Sequence, residues 1–311
     1  MPETKTFRAE GGEGRLDKYL AWALRPMTRT YVQKLISDGL VTLNGRPTPA
    51  GKSLIAGDEV TVAFPEFSAL PAAASAGVPI LFEDSDLIVV DKPAGVVVHP
   101  AGPHQEDTLV QRLWPKLEPA WKAKIHGVPL HTARPGVVHR LDKGTSGIIL
   151  IAKNPAAAEN LSSQFEKRKV EKIYWALAEG SPGAETGTIR SNVGRDRHRP
   201  DRMSVTDPGR PSELEFKVLA RFERDALLEV HPLTGRTHQI RVQLASVGHP
   251  LVGDGTYGNK GGDRPLLHAL RLSFNHPRTK KRLTFSAPLP EDFRAVLAER
   301  GFDAFPSKKV E

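Results

Sequence analysis

The sequence of 311 residues contains no cysteine, no long apolar run and no apolar segment near its N-terminus. The lack of cysteine excludes disulfides, thiolate zinc sites and a cysteine nucleophile. A membrane-spanning helix needs about 18 consecutive apolar residues, and a secretory signal needs an apolar stretch behind a basic start. We therefore expect a cytoplasmic protein without membrane association.

Motifs that hold cofactors are also missing. No GxxxxGK[ST] phosphate loop occurs, and the eleven histidines include no HExxH or other metal-ligand spacing. The sequence therefore predicts no metal, no nucleotide cofactor and no organic cofactor.

Basic residues are in excess. Lysine and arginine number 44 against 36 aspartates and glutamates, which gives a formal net charge of +8. Binding of cationic side chains to phosphates releases counterions, so the excess favours a nucleic-acid partner without establishing one.

The first organised segment spans residues 14–64. Apolar residues recur twice at helical spacing, which predicts two short helices. Thr28 is the predicted N-cap of the second helix, and Gly39 suits the left-handed residue that ends it. A small sheet would complete an α/β module, with strands through residues 40–43 and 58–62 and a tight turn at Asn44-Gly45.

A change of composition marks the end of this module. Residues 67–78, FSALPAAASAGV, carry no charge and are rich in Ala, Ser and Pro. This composition predicts a linker. We thus expect a small domain over residues 1–66, a linker over 67–78 and a large domain over 79–311.

The large domain is dominated by β-branched runs separated by turn residues. They do not alternate regularly with helices, so we expect an α+β fold with a mixed, mainly antiparallel sheet. Asn154-Pro155 is a predicted helix start, and a second helix is predicted from Thr237 with Ile240, Leu244 and Val247 inward and Gly248 as its end. The predicted strands are 80–82, 87–90, 96–98, 148–151, 173–175, 214–219 and 227–230.

Two polar segments lie between apolar runs. In HRLDKGTSG, residues 139–147, the neighbours Arg140 and Lys143 are expected to keep Asp142 ionised. Such a carboxylate serves as a nucleophile or a base, although a turn cap is an equal alternative from the residues alone. In GRTHQIR, residues 235–241, the arginines suit phosphates or a carboxylate; solvated arginines at an ordinary helix start are the alternative.

A third segment, residues 194–202 with the sequence GRDRHRPDR, contains four arginines. This density is typical of a loop that binds a nucleic-acid backbone. A solvated surface loop is an equal alternative.

The motifs HRLDKGTSG and GRTHQIR, in this order, resemble those of the bacterial pseudouridine synthases of the RluA/RluD type. The resemblance extends from about Pro79 to Pro290 and includes LIVVDKPAGVVVHP, KIYWALAEG and HPLVGDGTYG. The segments RLDKYL and TRTYVQKLISDGLVTLNGRP resemble a small RNA-binding domain of a ribosomal protein. Residues 115–135 match no motif of the family.

The resemblance implies roles for particular residues. Asp142 corresponds to the catalytic aspartate, Tyr174 to the active-site tyrosine and Arg241 to the basic partner of the aspartate. Arg140 resembles the residue that fills the space of the flipped base. The predicted RNA-binding residues are Arg140, Lys143, Arg236, His238, Arg195, Arg197, Arg199 and, in the N-terminal module, Arg29 and Lys34.

The implied activity is isomerisation of uridine in RNA to pseudouridine after base flipping. We expect large-subunit (23S) ribosomal RNA as the substrate because of the N-terminal module, with transfer RNA as the alternative, and a monomeric enzyme. A non-catalytic ribosome-assembly factor is the rival class, and the complete set of implied active-site residues argues against it. A nuclease would need a carboxylate cluster for metal ions, and the motifs contain none.

Overall fold

The computed structural model describes residues 4–24, 27, 29–64, 77–100, 107–121, 134–199, 202–258 and 262–303. The chain divides into two compact units, one of residues 1–76 with 99–137 and one of residues 77–98 with 138–311. Residues 99–137 thus group with the first unit, whereas the sequence prediction placed them in the large domain. The proposed linker falls mostly on residues outside the described ranges.

The first unit contains an α/β module. Its strands are β1 (Thr4–Arg8), β2 (Val41–Leu43), β3 (Arg46–Pro47) and β4 (Glu59–Ala63), in the sheet order β1-β4-β2-β3. Its helices are α1 (Leu16–Ala23) and α2 (Arg29–Ser37). The apolar stripes of both helices are buried, as their periodicity predicted.

Local sequence accounts for the turns of this module. Gly39 has φ +75°, which permits the left-handed residue after α2. Asn44 and Gly45 both have positive φ, as a two-residue hairpin turn between β2 and β3 requires. The predicted cap Thr28 lies outside the described residues.

The first unit also contains helix α3 (Leu109–Trp121), which the sequence analysis did not predict. Thr108 precedes it, and both the amide and the hydroxyl of Thr108 donate to Gln111 Oε1. This arrangement satisfies a polar group at the helix start. Pro115 and Pro119, which weaken helix signals in the sequence, lie inside the helix.

The second unit is built on one mixed sheet. Its path is β10-β9-β11-β12-β8-β13-β7-β6-β5, and β14 pairs with β13. Only the β7–β13 pair is parallel among the described strands, so the predicted α+β class with a mainly antiparallel sheet is confirmed. The strands are β5 (Ile80–Glu83), β6 (Leu87–Lys92), β7 (Ser146–Ala152), β8 (Glu171–Glu179), β9 (Thr186–Arg195), β10 (Met203–Val205), β11 (Arg210–Arg221), β12 (Asp225–Pro232), β13 (Leu267–Asn275) and β14 (Arg282–Ser286).

Among the described residues of this unit, the helices are α4 (Pro155–Glu166), α5 (Gln239–Ser246) and α6 (Glu291–Ala298). Asn154 caps α4 by accepting from the amide of Ala157, as the Asn-Pro pair predicted. Helix α5 packs on the sheet face that carries Tyr174, and α6 packs on the opposite face around Trp175. None of the described helices has the length and apolarity that crossing a membrane requires.

Two sequence predictions about local structure were wrong. The Val96–Val98 run is not a strand, because Gly95 with φ +87° turns the chain and the Val96 carbonyl accepts from Lys92 Nζ. Val247 is not inward; it is 48% exposed because α5 ends at Ser246 and Val247 leaves the helical path. Gly248 has φ +88°, as expected of a helix end.

The register of the central strands places key residues in one row. Tyr174 of β8 pairs with Val230 of β12 on one side and with Ala269 of β13 on the other. Ala269 in turn pairs with Gly147 of β7. Since neighbouring strands lie about 4.8 Å apart, Tyr174 stands two strands from the end of the HRLDKGTSG segment.

The close approach of β7 to Ala269 of β13 requires a glycine at position 147. Its φ is +106°, and a Cβ at this position would lie 2.3 Å from the Ala269 carbonyl oxygen. We expect Gly147→Ala to lower the free energy of unfolding by about 3 kcal/mol or more, because backbone strain and overpacking add. Thermal denaturation measures the effect. Gly183→Ala is the matched control, since its Cβ would meet nothing within 4 Å; equal melting temperatures of the two variants would contradict the prediction.

Candidate active site

A cleft in the second unit has a volume of about 950 Å³. Its walls come from the loop before β7, from β8, and from the turn between β12 and α5. The sequence-predicted residues Asp142, Tyr174 and Arg241 all line it. The sheet register and the start of α5 therefore bring together residues that are far apart in the chain.

The loop that carries Asp142 is held by its backbone carbonyls. The Lys143 carbonyl accepts from the amide of Gly95 at 2.8 Å and from Lys92 Nζ at 3.4 Å. The next carbonyl, that of Gly144, accepts from Arg264 Nη1 at 3.3 Å. These contacts fix the loop independently of the Asp142 side chain, which is left to line the cleft.

Lys92 is the buried cation beneath this loop. It is fully buried at the end of β6, and its ammonium group also donates to the carbonyls of Pro93 and Val96. Burial lowers the pKa of Lys92 to about 7, and the negative charge of Asp142 opposes this shift. The lysine thus joins the end of β6 to the Asp142 loop.

Arg241 is clamped by a carboxylate. Its Nε and Nη2 donate to the two oxygens of Asp254, each at 2.7 Å, and its guanidinium lies 5.1 Å from the centre of the Tyr257 ring. Burial alone would lower the pKa of Arg241, but the hydrogen bonds and charge of Asp254, with the charge of Asp142, raise it. Burial likewise opposes ionisation of Asp254, yet the bonds from Arg241 hold the pKa of this carboxyl below its usual value.

The remaining guanidinium nitrogen faces Asp142. Arg241 Nη1 lies 3.4 Å from Asp142 Oδ2, whose side chain is 16% exposed. His238 Nε2 lies 3.9 Å from the same oxygen. Among the described residues, both contacts use Oδ2, so the second carboxylate oxygen is available to a molecule in the cleft.

His238 connects the start of α5 to Tyr257. It has φ +54°, which delays the helix to Gln239 although the sequence predicted a start near Thr237. Its Nδ1 lies 2.9 Å from the Tyr257 hydroxyl, which accepts from the amide of Met203. Burial lowers the pKa of His238, which favours a neutral ring. In this form Nδ1 accepts a hydrogen bond from the Tyr257 hydroxyl, and Nε2–H is directed toward Asp142.

Tyr174 stands on the sheet floor of the cleft. It is half-buried and packs against the apolar cluster under α5. Burial, and then the charge of Asp142, raise the pKa of Tyr174 well above its ordinary value. The neutral phenol is therefore the stable form, with a ring face suited to stacking on a planar group.

The predicted RNA-binding residues of this unit do not all lie in the cleft. Arg140, Arg236 and His238 line the cleft, whereas the Lys143 side chain is exposed and does not. Arg195 and Arg236 line a neighbouring cleft of about 520 Å³. Arg197 and Arg199 are exposed on the turn between β9 and β10.

The arginine-rich turn is internally ordered. Asp196 accepts from the amides of His198 and Arg199 and pairs with Arg202. The Arg197 guanidinium donates to the Asp207 carbonyl. These contacts order the described part of the turn, which exposes the side chains of Arg197 and Arg199.

In the N-terminal module, the two predicted RNA-binding residues already have carboxylate partners. Arg29 donates to fully buried Asp17 at 2.8 Å, and Lys34 pairs with Asp38 at 2.8 Å. Both side chains are nevertheless substantially exposed. These pairs position the two cations and leave part of each accessible to a polyanion.

One group of described residues has metal-ligand spacing: Asp84, Asp86 and His276. Its donors are already engaged, because His276 Nε2 lies 2.7 Å from Asp84 and Asp86 pairs with Arg278 at 2.8 Å. The group also lies outside the lining of the cleft. We interpret it as a structural ion-pair network.

Sequence reasoning missed three residues of the site: Lys92, Asp254 and Tyr257. Lys92 lies in the LIVVDKPAGVVVHP motif, and the other two lie in HPLVGDGTYG. Both motifs were part of the resemblance, but no role was assigned to their charged residues. An aspartate beside Gly in a turn is a common cap, so only the contact with Arg241 distinguishes Asp254.

Comparison with known proteins places this site in a family. The family model described as RNA pseudouridylate synthase matches residues 86–246, more than half of the chain, and the S4 domain model matches residues 14–60. The chain therefore belongs to the RNA pseudouridine synthase family, and it is an enzyme of the isomerase class that acts on RNA. The resemblance stated from the sequence is confirmed.

Relatives that match this chain over most of its length belong to the same family. An RNA pseudouridine synthase of Bacillus subtilis is 41% identical over 94% of this chain and 96% of the relative. Ribosomal large subunit pseudouridine synthase D of Neisseria meningitidis is 36% identical over 98% of this chain and 85% of the relative. The solved structure of human RNA pseudouridylate synthase domain containing 1 covers 74% of this chain and 97% of its own, with 25% identity and a TM-score of 0.55.

Proposed function

We propose that this enzyme isomerises a uridine of large-subunit (23S) ribosomal RNA, with Asp142 acting at the ribose of a flipped nucleotide. The observation that carries the catalytic assignment is the clamp on Arg241. Two of its nitrogens are committed to buried Asp254, and the third faces Asp142 Oδ2 in a cleft that also contains Tyr174.

The reaction defines what the site must do. The bond between C1′ and N1 breaks, the ring turns, and a bond between C1′ and C5 forms; N1 gains a proton and C5 loses one. The reaction is redox-neutral, and a carboxylate can serve it in two ways. Asp142 would attack C1′, or it would remove the proton at C2′; the clamped arginine aims the carboxylate for either route.

The substrate base must leave the helical stack before the carboxylate can reach its sugar. Tyr174 then stacks on the flipped uracil, and Arg140, at the exposed edge of the cleft, fills the vacated space. The S4 module and the arginines near the cleft would hold the surrounding RNA through its phosphates.

The choice of ribosomal RNA rests on the relative from Neisseria meningitidis, whose name assigns it to the large ribosomal subunit. A ribosomal target also agrees with the cytoplasmic location expected from the sequence. Pseudouridine mapping in cells that lack the gene tests the target. We expect at least one 23S site to disappear and to return with the wild-type gene but not with Asp142→Asn; loss confined to transfer RNA would replace the ribosomal assignment.

The hydroxyl of Tyr174 gives a further prediction. Tyr174→Phe keeps the stacking ring but removes the group that would relay the C5 proton, so we expect turnover to fall by about 10²-fold with little change in KM. Tyr174→Leu should lower turnover and also raise KM, because the ring itself is lost. Steady-state kinetics on a 23S transcript measure this, with Tyr19→Phe as a control in the N-terminal module. Wild-type turnover by Tyr174→Phe would reject a role for the hydroxyl.

A further inference from the structure

Lys172 extends the cleft beyond the catalytic residues. It lies two residues before Tyr174 on β8, and alternate residues of a strand share a face. Its half-buried side chain lines the cleft, where Nζ donates to the Thr234 carbonyl at 3.1 Å. An ammonium group has three donors, so further donors are available to a ligand.

Lys172 makes no ion pair. Among the described residues, no carboxylate oxygen lies within 4.0 Å of its Nζ, although Glu166 and Glu171 line the same cleft. Glu171, its neighbour on the strand, also lines the cleft, but its carboxylate pairs with Arg282 at 3.4 Å. The charge of another cation in the cleft lining, Arg168, lowers the pKa of Lys172.

The ring of His139 also lines the cleft, and it carries no negative charge that could balance the charge of Lys172. His139 Nε2 accepts from the amide of Leu150, and burial followed by the charge of Lys172 lowers the pKa of His139 to about 3. Burial, then Arg168, lowers the pKa of Lys172 itself to about 8. A half-buried ammonium group beside a cation and a neutral ring lacks the counterion that buried charges need.

We propose that Lys172 and Arg168 form a phosphate subsite that holds the substrate RNA backbone next to the flipped uridine. This inference rests on the proposed function. Arg168 is exposed at the edge of the same cleft. It has φ +56° and turns the chain just after α4. A phosphate between the two cations would supply the missing counterion, while the uracil stacks on Tyr174 two residues further along β8.

The experiment measures binding of an unmodified in vitro 23S transcript at several KCl concentrations. All variants carry Asp142→Asn so that turnover does not intervene. Lys172→Met should weaken binding about tenfold or more and reduce the slope of log K against log salt by about 0.7, one phosphate contact in single-stranded RNA. Lys172→Arg should retain the slope. Lys217→Met, at an exposed position of β11, is the matched control.

Arg168→Gln provides a second, independent arm. Its side chain is exposed, so its replacement should not affect folding, and the same loss of salt slope is expected. Unchanged slopes for both Lys172→Met and Arg168→Gln would overturn the subsite while leaving the proposed function intact. If Lys172→Met fails to fold, the slope of Arg168→Gln decides. If the wild-type enzyme neither binds nor modifies the transcript, the ribosomal assignment fails first, and the subsite fails with it.

Discussion

Replacement of Asp142 by Asn is expected to abolish pseudouridine formation while RNA binding survives. Asparagine has the same shape and can still accept from Arg241 Nη1, but it carries no negative charge and is a poor nucleophile and base. We expect the single-turnover rate to fall by at least about 10⁴-fold, the upper range for loss of an acid–base or nucleophilic group.

The assay combines two measurements on the same 23S transcript: pseudouridine formed at saturating enzyme, and the equilibrium dissociation constant. Asp303→Asn, an exposed position, is the matched control for loss of one carboxylate. Appreciable turnover by Asp142→Asn would show that another group performs the chemistry. Parallel loss of binding and turnover would instead make Asp142 a residue needed for folding or RNA affinity.

The second large effect is expected at Asp254. Asp254→Asn removes the charge that compensates the buried guanidinium of Arg241, and an amide cannot accept from both of its nitrogens. Breaking a buried ion pair on one side costs about 3–5 kcal/mol of stability. Because Arg241 would then lose the bidentate contact that fixes its orientation toward Asp142, we also expect turnover to fall by about 10²-fold.

A double variant separates these two effects. Arg241→Met combined with Asp254→Leu removes both charges, so stability should recover most of the loss while turnover stays as low as in Asp254→Asn or lower. Chemical denaturation and single-turnover kinetics provide the two readings. Recovery of activity in the double variant would exclude Arg241 as the group that positions Asp142.

The same pair predicts a pH dependence of stability. The pKa of Asp254 is lower in the folded protein than in the unfolded chain. Its contribution is therefore complete above the unfolded carboxyl value of about 3.9 and is lost as pH falls through the folded value. The wild-type enzyme should lose more stability than Asp254→Asn on acidification below about pH 4.

Local chemistry made part of this structure predictable. The Gly39 helix end and the Asn44-Gly45 turn depend on positive φ angles that few residues adopt, and the Asn154 cap depends on a side-chain oxygen that few residue types supply. By contrast, only Ile189 and Val193 of β9 are buried, four residues apart, and the strand gives no alternating signal. It is a strand because β11 and β10 pair with it, which a local pattern does not record.

The residues of the site likewise include some that the sequence could predict and some that it could not. The HRLDKGTSG and GRTHQIR segments were recognisable because they concentrate polar residues between apolar strands. The pairing of Arg241 with Asp254 was not, because their contact depends on how the chain returns after α5. Lys92 was equally hidden, since a lysine at a strand end is ordinarily solvated.

The clamp on Arg241 also determines the electrical character of the reaction centre. Two carboxylates share one guanidinium, so Asp142, Arg241 and Asp254 together carry a formal charge of −1. This anionic centre lies within a cationic rim that includes Arg140, Arg168 and Arg236. In the proposed mechanism, phosphates would be drawn to the rim but repelled from the centre, whereas a ribose carbon that becomes electron-poor as its bond to nitrogen stretches would be stabilised there.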